Sequence, residues 1–213
     1  MKCIFCNNNK LYQLKTGQLK CSSCKKKFSQ IKIDQNYEIA NCFVKNLTAN
    51  QASKYLSLGY QRVLNKYQHI RENIATFLEQ EYLINQSTNY DEYLYLEKSK
   101  KSKQNIFQSK NFITFSYENK VYNLLMPDID RYRDIDAKEF TRFISLNKIS
   151  QRDNINNVIA EFWNFFESEI LKYKGIKDEN FFYYLKEVEF KFNFPENQRL
   201  AILKSMLSKA YII

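Results

Sequence analysis

Four of the five cysteines in this chain stand in two short pairs near its N-terminus. Cys3 and Cys6 form the first pair and Cys21 and Cys24 the second, with two residues between the members of each pair. A Cys-x2-Cys knuckle aims two thiolates at one point, and two knuckles can complete a tetrahedron around Zn²⁺. Four sulfur ligands leave no coordination position for water, so the spacing predicts a structural zinc ion rather than a catalytic one.

The alternative for these cysteines is a pair of disulfides in a secreted protein. The chain starts Met-Lys-Cys-Ile-Phe-Cys, which is not a signal peptide because cysteine and asparagine follow where an apolar stretch should stand. Nearby lysines, among them Lys25, Lys26 and Lys27, favour thiolate over thiol. We therefore expect zinc, whose binding energy would stabilise a segment too short to fold by burial alone.

The residues between the knuckles predict a small sheet that positions the cysteines. Residues 11–14 and 18–21 flank Thr16-Gly17, which is typical of a hairpin with Gly17 in its turn. Residues 25–29 would add a third short strand, so residues 1–30 are expected to form a zinc ribbon. The three lysines of that strand could contact phosphates, and a solvated charged face is an equally good interpretation.

Three predicted helices follow the ribbon. Apolar residues recur at helical spacing over residues 35–45, and Thr48 stands as an N-cap before a short second helix that Gly59 ends. A third helix is predicted from Tyr60 through Ala75, extending towards Glu81. Two short helices, a turn containing glycine and a third helix match the helix-turn-helix layout, with an ordinary three-helix bundle as the alternative.

The start of the third helix is the expected point of DNA contact in that layout, because it enters the major groove. Glutamine and asparagine can bond adenine, and arginine can bond guanine or phosphate. The side chains at this start are Tyr60, Gln61, Arg62, Asn65 and Lys66. Elsewhere on these helices, Cys42 is interpreted as a small core residue and His69 as an exposed residue that binds no metal.

The positive charge of the chain is confined to the same region. Residues 1–75 hold 13 basic and 3 acidic side chains, which accounts for the formal net charge of +10, whereas residues 76–213 hold 20 of each. A basic segment beside a neutral body is typical of a polyanion-binding module attached to a globular domain. This coincidence favours DNA binding over a plain helical bundle.

The rest of the composition indicates a folded, mainly helical protein. Hydrophobic residues make up 44% of the chain and aromatic residues 16%, which excludes a disordered protein. The chain has only 3 glycines and 2 prolines, which favours helices over a loop-rich sandwich. No apolar run approaches the roughly 20 residues of a membrane span. Two strands are predicted at residues 112–117 and 120–126, and helices at residues 137–146, 154–173, 178–193 and after Pro195.

The ribbon together with residues 47–56, Leu-Thr-Ala-Asn-Gln-Ala-Ser-Lys-Tyr-Leu, resembles the N-terminus of bacterial insertion-sequence DDE transposases of the ISXO type. Residues 156–163, Asn-Asn-Val-Ile-Ala-Glu-Phe-Trp, look like the late His-x-Asn-x-Ile-Glu-x-Phe-Trp segment of that family. Residues 172–176 and 182–193 are similar to its closing helices. The resemblance implies an α+β, mostly helical chain with a zinc ribbon, a helix-turn-helix and an abbreviated RNase H-like core that ends in long helices.

The resemblance also implies catalytic residues. Tyr90-Asp91-Glu92-Tyr93 resembles the segment that marks the first catalytic strand of the family, which makes Asp91 a candidate metal ligand. In such enzymes two Mg²⁺ ions held by three carboxylates activate water or a 3′-OH and stabilise the leaving oxygen. Glu161 is the candidate for the last acid. Asp91 and Glu92 could alternatively be ordinary residues of an exposed strand.

Several positions depart from the family pattern. With Phe162-Trp163 aligned, the family's glutamate falls on Ala160, and Glu161 stands one residue later, about 100° further around a helix. Only 66 residues separate Asp91 from Asn157. The four further strands and two helices that an RNase H-like core has between its first acid and its last helix need roughly 75. Asp128 and Asp130 could offer a second acid, or could belong to a charged loop. The basic run 98–103 is either a hairpin tip or a phosphate contact.

Two hypotheses follow for a chain divided into residues 1–30, 31–85 and 86–213. The first is a compact DDE transposase that cuts and joins DNA ends with Mg²⁺. The second is a non-catalytic DNA-binding protein descended from one, which uses its body for dimerisation or partner contact. Both imply structural Zn²⁺, double-stranded DNA as partner, a possible homodimer, no membrane, no small-molecule substrate and a cytoplasmic, nucleoid-associated location.

Overall fold

The computed structural model describes residues 1–85, 87, 89–95, 110–126, 157–173 and 175–210. These residues form a mixed structure of helices and strands in which helices predominate, as the composition predicts. The protein divides into two compact units, Met1–Ile74 with Phe194–Ile213, and Ala75–Asn193. Among the described helices, none combines the length and the apolarity that crossing a bilayer requires.

The first unit begins with a three-stranded antiparallel sheet. Its strands are β1 (Leu11–Gln13), β2 (Leu19–Cys21) and β3 (Lys27–Phe28), in the order β1-β2-β3. Gly17 adopts a left-handed φ of 76°, and its N–H donates to the carbonyl of Leu14 at 2.9 Å. This conformation is readily available to glycine, which explains why the hairpin turns there. The predicted hairpin and third strand are confirmed, with strands shorter than expected.

Three helices follow the sheet, and two of them start at identifiable caps. They are α1 (Gln30–Val44), α2 (Ala49–Tyr55) and α3 (Tyr60–Ile84). The first starts five residues before the predicted apolar pattern because Ser29 caps it, accepting from the N–H of Lys32 at 3.4 Å. Thr48 caps α2 as predicted. Its hydroxyl accepts from the N–H of Gln51 at 3.2 Å, and the Gln51 side chain accepts from the N–H of Thr48 at 2.9 Å.

The break between α2 and α3 differs in detail from the prediction. Ser57, not Gly59, takes the left-handed φ of 52°, and the N–H of Leu58 donates to the carbonyl of Ser53 at 3.0 Å. Gly59 has no left-handed φ, and a Cβ added there would meet nothing within 4 Å. The α2 helix is therefore ended by a non-glycine residue in the left-handed region, which a residue pattern alone rarely reveals.

Aromatic packing joins the helices of this unit. Phe43 of α1 meets Tyr67 of α3 edge to face, with ring centroids 5.0 Å apart. The Tyr67 hydroxyl donates to the carbonyl of Leu47 at 3.0 Å, which satisfies its buried polar end. Cys42 is buried and His69 is exposed, as expected from the sequence. The structure adds that His69 Nδ1 lies 2.9 Å from the Glu72 carboxylate.

The last helix of the chain completes the same unit. It is α6 (Glu196–Ala210), which packs against α1 and buries Leu203 and Leu207. The Lys204 ammonium lies 5.5 Å from the centre of the Tyr37 ring of α1. The N-terminal unit is thus built from both ends of the chain. The functional division at residues 30 and 85 stays a prediction.

The second unit contains an antiparallel meander. Its strands are β4 (Tyr90–Tyr95), β5 (Lys110–Tyr117) and β6 (Lys120–Leu125), in the order β4-β5-β6. Glu118 and Asn119 both take left-handed φ values, 45° and 62°, in the two-residue turn between β5 and β6. The register places Asp91, Thr114 and Asn123 in one row across the sheet, with their side chains on one face.

Two helices are packed with this meander. They are α4 (Asn157–Ile170) and α5 (Phe181–Asn193), and an intervening 3-10 turn spans Asp178–Asn180. The core combines Phe112 and Val121 of the sheet with Phe162, Phe166 and Val188 of the helices. The aromatic stripe on α4 is therefore packing, as its spacing indicates.

A buried line of hydrogen bonds runs through this core. The Trp163 indole donates to the Thr114 hydroxyl at 3.0 Å, which in turn donates to Asn123 Oδ1 at 2.7 Å. The Asn123 amide donates to Glu189 Oε2 at 2.9 Å, and Lys186 donates to the same oxygen at 2.9 Å. Burial lowers the pKa of Lys186 and raises that of Glu189, and their mutual attraction opposes both shifts.

Side chains of α5 also pair with the backbone of the edge strand β6. Asn193 accepts from the N–H of Val121 at 2.8 Å and donates to the carbonyl of Val121 at 2.7 Å. The N–H of Asn123 donates to Glu189 Oε2 at 3.0 Å. These bonds satisfy backbone groups that a sheet edge would otherwise offer to another strand. The Glu189 carboxylate therefore accepts hydrogen bonds both from the backbone of β6 and from the buried Lys186 ammonium.

We expect Glu189→Ala to lower the free energy of unfolding by about 3–5 kcal/mol, because it leaves the Lys186 ammonium buried without a counter-charge. Urea denaturation of the full chain measures this loss. The matched control is Glu179→Ala, whose exposed carboxylate faces Lys177 at 3.7 Å and should contribute less than about 1 kcal/mol. Equal stability of the two variants would contradict the role of Glu189.

Candidate metal centre and nucleic-acid interface

The four N-terminal cysteines converge on one point. The sulfur atoms of Cys3, Cys6, Cys21 and Cys24 all lie within 4.8 Å of one another. Cys3 and Cys24 have sulfurs 3.6 Å apart, and Cys6 and Cys21 have sulfurs 3.5 Å apart. A zinc–sulfur bond of about 2.3 Å in a tetrahedron places sulfurs about 3.8 Å apart. All four cysteines are free rather than joined as disulfides, whose sulfurs would lie about 2.05 Å apart.

The two knuckles repeat the same backbone geometry. In the first, the N–H of Phe5 donates to Cys3 Sγ at 3.4 Å, and Asn7 takes a left-handed φ of 56°. In the second, the N–H of Ser23 donates to Cys21 Sγ at 3.4 Å, and Lys25 takes a left-handed φ of 61°. Each turn thus points its N–H groups at a sulfur, which favours the charged thiolate that a metal requires.

The acidity of the second knuckle follows from these contacts. Burial opposes the ionisation of Cys21, but N–H donors of Cys24 and Ser23 and the neighbouring thiols outweigh it and lower the pKa of Cys21 to about 6. The N–H of Lys26 favours the thiolate of Cys24, yet burial and the other three cysteines raise the pKa of Cys24 to about 11. Each thiolate opposes the ionisation of the neighbouring thiols, so a divalent cation is needed for all four cysteines to carry charge together.

The donor set fits zinc in a structural role. Four thiolates match the closed tetrahedral site typical of structural zinc, and no further ligand position is left for a water. Two apolar residues, Phe28 and Ile33, are buried beside Cys3 and Cys21, and the other apolar residues packed against the site are only partly buried: Ile4, Phe5, Leu11, Leu19 and Tyr37. A core of this size needs a further constraint, and a bound metal supplies one.

The predicted contact residues at the start of α3 are largely exposed. Tyr60, Gln61, Arg62 and Asn65 are exposed, and Lys66 is half-buried. Gln61 donates to Asn65 Oδ1 at 2.7 Å, and Arg62 donates to Gln35 Oε1 of α1 at 2.7 Å. Burial, followed by the nearby Arg62 charge, lowers the pKa of Lys66.

The lysines of the ribbon lie on its surface. Lys25, Lys26 and Lys27 are all exposed. The Lys26 ammonium lies 4.8 Å from the centre of the Phe5 ring, and Lys25 donates to the carbonyl of Ser22 at 2.5 Å. These contacts hold the Lys25 and Lys26 side chains while leaving their charge accessible to an anion.

The structure places the two candidate catalytic acids differently. Asp91 is half-buried on β4, on the sheet face that packs against α4 and α5, and accepts from the N–H of Glu92 at 2.8 Å. Glu161 is exposed on α4, away from the buried stripe that contains Phe162 and Trp163. This orientation follows from the one-residue displacement noted in the sequence.

No three carboxylates gather in the part of the chain that the structure describes. Within those residues, the four cysteines are the one group of three or more metal-ligating side chains close enough to share an ion. Asp128 and Asp130 lie outside the described residues, as do the basic run 98–103 and the helix predicted at residues 137–146.

Sequence reasoning missed Gln35 as the partner of Arg62. Gln35 belongs to α1 and stands 27 residues before Arg62 in the chain. No local pattern connects them, because the contact depends on how α1 and α3 pack. The nearest signal is the position of Gln35 among the apolar residues of α1, which shows only that it lies near a packed face.

Part of the chain is similar to a known protein. It is a protein of Haemophilus influenzae described as an uncharacterized transposase-like protein, 33% identical over 84 residues. The matched stretch covers 38% of this chain and 68% of the relative. No family model and no solved structure matches the chain.

Removal of zinc is expected to unfold residues 1–30, because the bound cation is the main constraint on a segment whose buried core is so small. Hydrogen exchange of the full chain with and without a chelator measures this loss of protection. We expect Cys6→Ser to weaken zinc binding by more than the roughly 10–100-fold typical of outer-shell substitutions. Cys42→Ala is the matched control and should keep one zinc per chain. Protection that is indifferent to chelator would contradict the zinc site.

Proposed function

The chain belongs to a family of transposase-like proteins, and from this premise we propose that it binds double-stranded DNA through its N-terminal unit. The observation that carries this proposal is a coincidence of three features. The net charge of +10 falls on residues 1–75, and the same residues hold the four-cysteine centre and the exposed start of α3. Phosphate attraction is the main source of affinity for DNA, and it requires such a basic surface.

In this proposal α2 and α3 act as a helix-turn-helix. Four residues, 56–59, join the two helices, which is the turn length of that motif. The start of α3 then enters the major groove, where Tyr60, Gln61, Arg62, Asn65 and Lys66 contact base edges and phosphates. The interhelical contacts of α1, including the Phe43–Tyr67 pair, support the orientation of α3.

The ribbon adds contacts to the DNA backbone. Lys25, Lys26 and Lys27 form an exposed basic run next to the zinc centre. Lysine ammonium groups contact phosphate as point charges and carry no sequence preference. The ribbon would therefore contribute affinity and register, while α3 contributes sequence reading.

A second candidate function is cutting and joining of DNA ends. The placement of Asp91 favours it, because this carboxylate lies on β4 at one end of the row Asp91, Thr114 and Asn123, on the sheet face that packs against α4 and α5. An RNase H-like core would hold its first catalytic acid on such a strand. The acids needed for Mg²⁺ are not assembled among the described residues, since Glu161 points away from the buried face of α4.

The alternative is a non-catalytic DNA-binding protein, either a regulator or a retained transposase remnant. The neutral charge of residues 76–213 supports it, because a core that handles DNA requires a basic channel. DNA binding is the first proposal because the transposase and the non-catalytic protein both require it. Strand transfer is the second.

We expect the zinc-loaded full chain to bind duplex DNA with an affinity that falls steeply as salt rises. Arg62→Ala and Lys26→Ala should each weaken binding and lower the slope of log affinity against log salt by about 1, because each removes one phosphate contact. Fluorescence titrations over a salt series measure both quantities. Lys177→Ala, an exposed lysine of the other unit, is the control and should leave the slope unchanged. An affinity that does not respond to salt would contradict phosphate contact.

Strand transfer predicts that Mg²⁺ supports nicking or joining of a duplex carrying terminal repeats. Asp91→Ala should abolish this activity and keep DNA binding, because Asp91 lies outside the DNA-binding unit. Gel analysis of the DNA products measures the reaction, with Glu92→Ala as the matched control on the adjacent residue. Absence of products from the unaltered chain with Mg²⁺ would leave the non-catalytic alternative as the function.

A further inference from the structure

The exposed residues at the start of α3 fall into two rows. Successive residues of an α-helix are about 100° apart, and the buried Val63 and Tyr67 mark the inner side. On this geometry Gln61 and Asn65 project roughly opposite to the buried side, which makes them the outermost ridge. Arg62 and Lys66, one turn apart, lie on one side of this ridge, which we call the flank. A helix that enters a groove presents its outermost ridge to the groove floor.

The ridge residues are already paired in the protein. The Gln61 amide donates one hydrogen to Asn65 Oδ1 at 2.7 Å. Gln61 retains its oxygen as an acceptor and a second N–H as a donor, and Asn65 retains both of its N–H groups. The pair thus presents a donor and an acceptor side by side, with part of its rotamer freedom already lost before binding.

The flank residues are held away from that ridge. Arg62 donates to Gln35 Oε1 at 2.7 Å, which ties its guanidinium towards α1. Lys66 stands one turn later on the same flank and is half-buried. In this position both cations face the wall of a groove occupied by α3, where the phosphates lie.

Two turns after Asn65, the ridge carries a negative charge instead of amide groups. Glu72 accepts from Gln68 at 3.4 Å and from His69 at 2.9 Å, so a carboxylate occupies the continuation of the ridge. A carboxylate is repelled by the phosphates that line the groove. Base contact is therefore limited to the first turns of α3, which contain Gln61 and Asn65.

We propose that the Gln61–Asn65 pair reads an A·T base pair in the major groove, while Arg62 and Lys66 contact phosphate. This inference rests on the proposed DNA binding. Adenine presents the N7 acceptor beside the N6 donor, which complements one amide. Guanine presents two acceptors, N7 and O6, and suits arginine instead. Since Arg62 is tied to the flank, guanine lacks its preferred partner on the ridge.

The test starts by selecting binding sites for the zinc-loaded full chain from a pool of random-sequence duplexes. We expect the selected site to require at least one A·T pair, and a G·C pair in its place to weaken binding about tenfold. Substituting 7-deaza-adenine at that position removes N7 and should cost the unaltered chain a similar factor. Gln61→Ala should bind the A·T and G·C sites equally and lose nothing further with 7-deaza-adenine.

Three matched variants complete the design. Asn65→Ala should reduce the preference for A·T, and Gln61→Arg should shift it to G·C because arginine pairs with guanine. Arg62→Ala should weaken binding to both sites by the same factor. Both ridge residues are exposed, so unchanged thermal unfolding of their variants is the folding control.

The possible failures are distinct. If Gln61→Ala and Asn65→Ala keep the preference of the unaltered chain between the A·T and G·C sites, the inference is overturned and DNA binding stands. If Arg62→Ala changes that preference instead, Arg62 reads the base and the inference is overturned as well. If the unaltered chain retains no duplex from the pool, the proposed function fails and the inference falls with it.

Discussion

The first unit depends on four sulfur atoms held within 4.8 Å of one another. Thiolates this close repel, so all four cysteines can carry charge together only when a divalent cation neutralises them. The knuckles fix the ends of a small sheet, and that sheet packs Phe28 against Ile33 at the start of α1. Helix α1 in turn packs Phe43 on Tyr67 and bonds Arg62 through Gln35. The four-cysteine centre therefore supports, through a short series of contacts, the side of α3 that we propose to face DNA.

A different principle holds the second unit together. The backbone N–H and C=O groups on the outer side of β6 would otherwise lack strand partners, and side chains of α5 bond them instead. The same helix carries the fully buried Lys186–Glu189 pair, which links the edge to Asn123, Thr114 and Trp163. Burying a charge costs free energy unless its hydrogen-bond and ion-pair partners are all present. This line of hydrogen bonds therefore fixes how the helices dock on the sheet. Asp91 stands at the end of that row, which is the structural reason to keep strand transfer as a second candidate.

The sequence was informative wherever the signal was local. Cysteine spacing predicts the convergence of the four sulfur atoms, and Gly17 and Thr48 predict a turn and a cap. The predicted strands and helices agree within a few residues where the structure describes them. It was uninformative wherever distant residues meet. The packing of α6 on α1, the Gln35–Arg62 bond and the capping of β6 by Asn193 all join residues far apart in the chain. Displacement of Glu161 could be inferred from its position in a motif, and its exposure accords with that inference.

Hydrogen exchange of the zinc-loaded full chain, with and without a random-sequence duplex at low salt, tests the central claim most directly. DNA binding through the N-terminal unit predicts slower exchange at residues 60–66 and 25–27 when duplex is present, because amides beneath a bound phosphate backbone are shielded from solvent. Residues 181–193, in the charge-balanced part of the chain, should exchange at the same rate in both samples. Unchanged exchange at residues 60–66 with duplex in excess would contradict the claim that α3 contacts DNA.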